Sequence, residues 1–258
     1  MSKRGAFVVI EGLDRSGKST QAETLIKRLQ AADIPSKLIK FPDRSTPIGK
    51  LIDSYLRSET ELDDHAIHLL FSANRWELAS SIVKDLEAGT VIICDRYAFS
   101  GIAFSASKVA PSAQPDAPTT TPTGSNIAPT HKTPPPLLPY SWCRSPDVSL
   151  PAPDLTLFLD ILPEVASQRA GFGGERYENQ EHQERVRELF ERVAEEVEAE
   201  GIGKWVVLNG GLELQEVSES IWSEVKEVVR QGVEGELGNV KRLWDKDRET
   251  AVLSALYI

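Results

Sequence analysis

The chain has 258 residues with 39 acidic against 29 basic side chains, a formal net charge of -10. That balance argues against a nucleic-acid polymer as partner, because a phosphate backbone selects a basic surface, while leaving room for a mononucleotide held by a few well-placed cations. Two cysteines without metal-ligand spacing, Cys94 and Cys143, point to a reducing compartment, and no apolar run approaches a membrane span or a signal-peptide core, so the expectation is a cytoplasmic protein, with the nucleus as a second compartment, that does not engage a membrane.

Residues 6–10 are a short β-branched apolar run and read as a strand buried on both faces. A glycine-bearing turn follows, then helical composition over 19–32 and a second strand over 36–41. A long helical segment spans 63–87 and Gly89 stops it. Strands follow over 91–94, 155–159 and 205–208. Residues 181–199 form an acidic amphipathic helix with Val186, Leu189, Phe190, Val193 and Val197 on one face. A last helix covers 214–229. Short apolar strands alternating with helices imply a parallel sheet with helices on both sides.

Residues 111–139 interrupt this rhythm. They hold nine of the sixteen prolines and six threonines, with no aromatic, a composition that cannot bury enough surface to offset its ordering entropy. The expectation is a disordered proline/threonine-rich insert, 109–140 at its widest, acting as a spacer rather than a polyproline ligand. The sheet needs strands from both sides of it, so the chain reads as a single domain over 1–258. A tail over 234–258 ends in Val252, Leu253 and Leu256, an apolar helical end that can pack on the domain or on a partner; its role stays open.

The strongest chemical signal is Gly12-Leu13-Asp14-Arg15-Ser16-Gly17-Lys18-Ser19, which fits G-x-x-x-x-G-K-[ST] between a buried strand and a helix. Its glycines let backbone amides turn inward around phosphate oxygens, and the helix N-terminus adds its dipole. Lys18 can reach β- and γ-phosphates, and the Ser19 hydroxyl can ligate Mg²⁺. Asp95-Arg96-Tyr97 follows the strand 91–94. Ligands of open α/β sheets sit at the carboxyl ends of strands, which places Asp95 for the Mg²⁺ shell and Arg96 for phosphate. Position alone also allows a surface ion pair there. Phe71 and Arg75 stand four apart on the helix 63–87 and so share a face.

Five segments, Glu11-Gly-Leu-Asp-Arg-Ser-Gly-Lys-Ser-Thr20, Phe41-Pro-Asp-Arg44, Leu70-Phe-Ser-Ala-Asn-Arg-Trp76, Asp95-Arg-Tyr-Ala-Phe-Ser-Gly101 and Glu175-Arg-Tyr-Glu178, together resemble the eukaryotic thymidylate kinases, within the P-loop nucleoside-monophosphate kinases. The resemblance covers about 5–230 and leaves the insert outside. It implies five parallel strands ringed by helices, a homodimer, and transfer of phosphate from ATP to dTMP with Mg²⁺, giving dTDP for dTTP synthesis. It implies that Gly12, Arg15, Ser16, Gly17, Lys18, Ser19, Thr20 and Arg96 bind ATP, with Ser19 and Asp95 at the metal. Asp14, Arg15, Lys18 and Arg96 would serve catalysis, Asp14 also by holding the 3′-hydroxyl of dTMP and Arg15 by neutralising the phosphoryl in flight. Arg44 and Arg96 would grip the dTMP phosphate. Phe41 would line the acceptor site, Phe71 would stack on thymine and Arg75 would read its edge. Ser100, Gly101 and Phe104 would shape the pocket and Tyr177 close it. Residues 168–178 look like a lid, whose glycines permit hinge motion and whose Arg169 and Arg176 can close on phosphates, Arg169 on those of ATP, and Asn209 would line the adenine site.

Those roles suit phosphoryl transfer, which demands alignment and charge neutralisation more than covalent chemistry. A regulatory GTPase would need N-K-x-D and a D-x-x-G switch after the phosphate loop, and neither occurs. Another pyrimidine nucleoside-monophosphate kinase, or a deoxynucleoside kinase, remains as an alternative; Arg44 and Arg96 favour an acceptor that already bears phosphate. Lys18, Ser19, Asp95 and Arg15 argue against a binding protein without activity.

Overall fold

The computed structural model describes residues 3–109, 135–169 and 174–245. The first strand, β1 (Phe7–Gly12), is buried along its whole length. It leads through the phosphate loop into α1 (Lys18–Ala31), which begins at Gly17 in the left-handed region. The chain then runs through β2 (Ser36–Lys40), α2 (Pro47–Leu56), α3 (Asp64–Glu87), β3 (Val91–Asp95) and α4 (Ala98–Ala106). Beyond the insert come α5 (Tyr140–Arg144), a 3-10 turn Ser145–Asp147, β4 (Leu155–Asp160), α6 (Pro163–Ser167), α7 (Gln180–Glu200), β5 (Lys204–Asn209) and α8 (Leu214–Glu234). Local chemistry sets the helix starts: the Thr46 hydroxyl accepts from Gly49 N with Pro47 behind it, and Asp63 caps α3.

The sheet has the order β2-β3-β1-β4-β5 and all its pairings are parallel, as the alternating pattern requires. Side chains of β1 alternate between two cores. Phe7 and Val9 face a layer built by α2, α3, α4 and α7. Val8 and Ile10 face α1 and α8. From β1 the chain passes to β2 and β3 on one side, then to β4 on the other, so the strand order reverses beside β1, and a crevice opens at its carboxyl end. Ile10 pairs with Asp95 across that reversal, which brings the phosphate loop beside Asp95-Arg96.

Four helices escape the sequence reading. Three are α2 and the five-residue α5 and α6, too short to show a period. The fourth, α4, is buried at all nine positions, so it shows no stripe to read. The insert expected over 109–140 needs a correction on its C-terminal side. Leu138 is fully buried in the core, Tyr140 opens α5, Pro136 pairs with Val109, and Leu137 N donates to Lys108 O at 2.8 Å. Residues 110–134 lie outside the described residues. The tail expected over 234–258 is also packed in part: Leu243 and Trp244 are fully buried, Trp244 against Phe99 at 6.2 Å between ring centres. Its apolar end, Val252 to Leu256, lies outside the described residues, as do 170–173 of the expected lid. Among the described residues no helix is long and apolar enough to cross a membrane.

Candidate active site

A cavity of about 570 Å³ opens at the carboxyl end of β1 and β3. Its phosphate-loop end is made by backbone strain and buried charge. Gly12, Arg15 and Gly17 all have positive φ, at 148°, 61° and 94°. A Cβ on Gly12 would stand 2.7 Å from Leu159 O of β4, so the turn needs glycine there. Gly12 and Ser16 are buried away from the cavity, which Asp14, Arg15, Gly17, Lys18, Ser19 and Thr20 line. Lys18 is buried, and its ammonium donates to Leu13 O and to Ser16 Oγ, the latter at 3.2 Å. Burial, helped by the nearby Arg96, lowers its pKa to about 7.

The Asp95 carboxylate faces Lys18 from β3. One oxygen accepts from the Ser19 hydroxyl and stands 3.3 Å from Lys40 Nζ. The other, Oδ1, is buried with no hydrogen-bond partner among the described residues. Burial opposes ionisation here, but Lys18, Lys40 and the Ser19 hydroxyl outweigh it and hold the carboxyl below its usual range. Lys40 lines the cavity although nothing in its strand singled it out.

Arg96, with φ 66°, turns back over the loop. It donates to Gly12 O and Ser100 Oγ, both at 3.0 Å, and to the Asp14 carboxylate, and lies 5.0 Å over the Phe104 ring. Asp14 is held a second time by Gln183, which donates to its carboxylate at 2.8 Å and accepts from its backbone N–H at 3.0 Å. Gln183 is fully buried on α7. The sequence signal for it was a polar residue three before Val186 on an otherwise apolar stripe. Glu11, also fully buried, accepts from Tyr97 N at 2.9 Å, Ser100 N at 3.1 Å and the Ser100 hydroxyl. It thereby fixes the N-terminus of α4, and burial raises its pKa.

Two further arginines meet carboxylates of the 174–178 segment. Arg15 Nε donates to Glu178 Oε1 at 2.8 Å, and Arg44 bridges Asp53 at 2.6 Å and Glu175 at 2.8 Å. Glu175 and Glu178 stood inside a recognised motif without an assigned part; their spacing gave no hint that each answers a different arginine. Arg169 donates to Arg15 O at 2.7 Å and to Gly210 O at 3.0 Å, tying the phosphate loop to the end of β5. Asn209 does not line the cavity: its carboxamide oxygen turns to Gly211 N at 2.9 Å, and the residue is exposed.

The other end of the cavity is aromatic. Phe41 follows β2, Phe71 and Arg75 project from α3, Ser100, Gly101 and Phe104 from α4, and Tyr177 from the segment before α7. Tyr177 stacks on His182 at 5.2 Å and meets Phe104 at 5.7 Å. Arg75 is buried and forms a two-pronged ion pair with Asp147, at 3.0 and 2.6 Å. The arrangement joins a phosphate cradle to a flat apolar slot with one buried cation, within reach of a single elongated anionic ligand pair.

The thymidylate kinase family model matches residues 10–122 and 137–221. The chain belongs to the thymidylate kinase family. It is 43% identical to the thymidylate kinase of Schizosaccharomyces pombe over 230 residues, 88% of this chain and 96% of the relative. With the human thymidylate kinase it shares 38% over 239 residues, 93% of this chain and 98% of the relative. The fold matches a solved thymidylate kinase from Candida albicans with a TM-score of 0.68 at 42% identity, covering 89% of this chain and 95% of that one. The five segments that carried the resemblance to thymidylate kinases all reach this one cavity or its floor.

Proposed function

We propose that the protein transfers the γ-phosphoryl of ATP to the phosphate of dTMP, giving ADP and dTDP for dTTP synthesis. The observation that carries this reading is a single cavity with a phosphate loop at one end and the Phe71–Arg75–Phe104 slot at the other, lined between by Arg44 and Arg96. ATP lies with its phosphates on the Gly12–Thr20 loop, and Lys18 bridges the β- and γ-phosphates. Phosphate recharges Lys18 fully, because an anion beside a buried ammonium favours its protonated form. Arg15 leaves Glu178 to neutralise the equatorial oxygens of the phosphoryl in flight. Arg44 and Arg96 hold the acceptor phosphate in line, Asp14 receives the 3′-hydroxyl, Phe71 stacks on thymine, and Arg75 donates to its O4. Glu175 and Glu178 keep the arginines oriented until phosphate displaces them, which makes the 174–178 segment the closing element over the site.

Mg²⁺ suits the donor set. Asp95 Oδ1 is a buried oxygen with no partner among the described residues, and the Ser19 hydroxyl sits on the same carboxylate. Among the described residues no cluster of three His, Cys, Asp or Glu side chains could cage a metal, so the ion would be shared with phosphate oxygens, the usual habit of Mg²⁺. When bound, it would neutralise phosphate charge, with Asp95 and the Ser19 hydroxyl as its protein ligands. A homodimer fits the exposed Leu69 and Trp76, seven apart on α3, with Leu51 on α2. The buried free thiols of Cys94 and Cys143 suit the cytoplasm or nucleus.

ADP release measured with ATP and, in turn, dTMP, dUMP, dCMP, dGMP, AMP and thymidine tests the reading. dTMP is expected to lead. dUMP, lacking one methyl group, should follow about tenfold lower. dCMP should fall at least ~100-fold lower, because its 4-amino group faces the donor Arg75. Thymidine, with no phosphate for Arg44 and Arg96, should give no turnover. A preference for thymidine or dCMP would overturn the assignment.

A further inference from the structure

Arginine has five N–H donors in a rigid fork, and which of them a ligand meets depends on what holds the rest. In Arg75 the Asp147 carboxylate takes Nε at 3.0 Å and Nη2 at 2.6 Å. Nη1 has no hydrogen-bond partner among the described residues, and Arg75 lines the cavity. The pair is sealed from water: Arg75 is 2% exposed and Asp147 not at all. The guanidinium also lies flat against α4, where a Cβ on Gly101 would stand 2.7 Å from Nη2 and 2.8 Å from Nη1. One edge and one face of the fork are therefore fixed, and the Nη1 edge is what remains for a ligand.

The Asp147 carboxylate is held from α3, and the loop that follows it is held in turn. Ser72, one turn before Arg75, donates to its Oδ1 at 2.7 Å and to Pro146 O at 3.0 Å, and Trp76 Nε1 donates to Pro146 O at 2.8 Å. On the far side the segment leading to Asp245 runs along the loop after Asp147: Ser149 N donates to Leu243 O at 2.8 Å, Leu243 N to Leu150 O at 2.9 Å, and Ala152 N to Lys241 O at 2.9 Å. The buried Trp244 pins that strap. A carboxylate so over-determined behaves as a fixture, not as a mobile counter-ion.

We propose that Asp147 is a positioning residue for base selectivity, holding the Arg75 guanidinium so that its Nη1 edge meets the O4 acceptor of thymine and rejects the amino group of cytosine. The proposal rests on Arg75 being the base reader. Replacing one carboxylate oxygen by an amide nitrogen sets a donor against the guanidinium donors, so Asp147→Asn frees the fork to turn away from a cytosine amino group instead of rejecting it.

The test is kcat and KM for dTMP and dCMP on the parent, Asp147→Asn, Ser72→Ala, Arg75→Ala and the double variant Arg75→Ala/Asp147→Asn, with thermal unfolding as the check on folding. Asp147→Asn is expected to raise the dTMP KM about tenfold with kcat within about threefold, and to shrink the preference over dCMP by about tenfold. Ser72→Ala, which only loosens Asp147, should shift both the same way by about threefold. The double variant should match Arg75→Ala in selectivity, since a residue acting through another has nothing left to act on. If Arg75→Ala keeps the parental rejection of dCMP, the reading of Arg75 fails. If Arg75→Ala loses it while Asp147→Asn, or Ser72→Ala where the former does not fold, keeps it, the proposal alone is overturned.

Discussion

Lys18 and Arg75 are both buried cations in one cavity, yet they are treated in opposite ways. Lys18 has only a carbonyl and a hydroxyl as hydrogen-bond partners among the described residues, and burial costs it much of its charge despite the pull of Asp14, Asp95 and Glu11. Arg75 has a whole carboxylate locked onto it. The phosphate end thus keeps a cation under-compensated, so that an arriving anion gains from relieving it. The base end keeps a cation already neutralised, so that a ligand is judged by hydrogen-bond direction and not by charge. The contrast separates catalysis from selectivity within a few side chains.

Breaking the phosphate end should have the largest effect. Lys18→Ala and Arg15→Ala are each expected to lower kcat by ~10²-fold or more, at about 3 kcal/mol of lost transition-state stabilisation, in steady-state assays with saturating dTMP. Near-normal kcat in either would remove that residue from the transfer step. Breaking the base end comes next. Phe71→Ala should weaken dTMP, dUMP and dCMP alike by roughly tenfold in kcat/KM, since a stacked ring reads no edge. A selective loss would make Phe71 a reader of identity.

The two ends can also be sharpened through stability. The folded Lys18 pKa is about 7 against an ordinary 10.5, so below pH 7 the ligand-free fold carries the full penalty of a buried charge. Between pH 7 and 10.5 the unfolded chain binds the extra proton, and stability gained from this group rises with pH. Lys18→Met should therefore raise Tm of the ligand-free protein by several degrees at pH 6, and the gain should shrink as pH passes from 7 toward 10. A gain that is flat with pH would deny that charge is the cause. The smallest effect is expected from the insert. Val109 and Pro136 already bridge its ends, and loop closure entropy varies slowly with length, so replacing 111–134 by a short Gly/Ser link should leave kcat/KM within about twofold and Tm within a few degrees. Extending the deletion through Leu138, which is fully buried, should destabilise the protein.

What could be read in advance follows the same division. The phosphate loop and Asp95-Arg96 were legible because a strand, a turn and a helix fix their geometry within a few residues. At the base end spacing alone linked only Phe71 and Arg75 on one helix, and Phe41, Ser100, Gly101, Phe104 and Tyr177 were reached through the resemblance. Asp147 lies 72 residues from Arg75, beyond the insert, and no local pattern links them. Gln183, Glu175 and Glu178 likewise act across the fold. The helix α4 was hidden because burial on all sides erases periodicity, and the packed strap to Trp244 was hidden because its contacts are mostly backbone pairings with the loop 149–152.

The most direct measurement is the ratio of kcat/KM for dTMP over dCMP on the parent, Lys18→Ala and Arg75→Ala proteins, followed by ADP release. The account predicts that Lys18→Ala loses ~10²-fold for both substrates with the ratio unchanged, while Arg75→Ala loses most of the ratio. A Lys18→Ala enzyme with an altered ratio, or an Arg75→Ala enzyme that still rejects dCMP as the parent does, would contradict it.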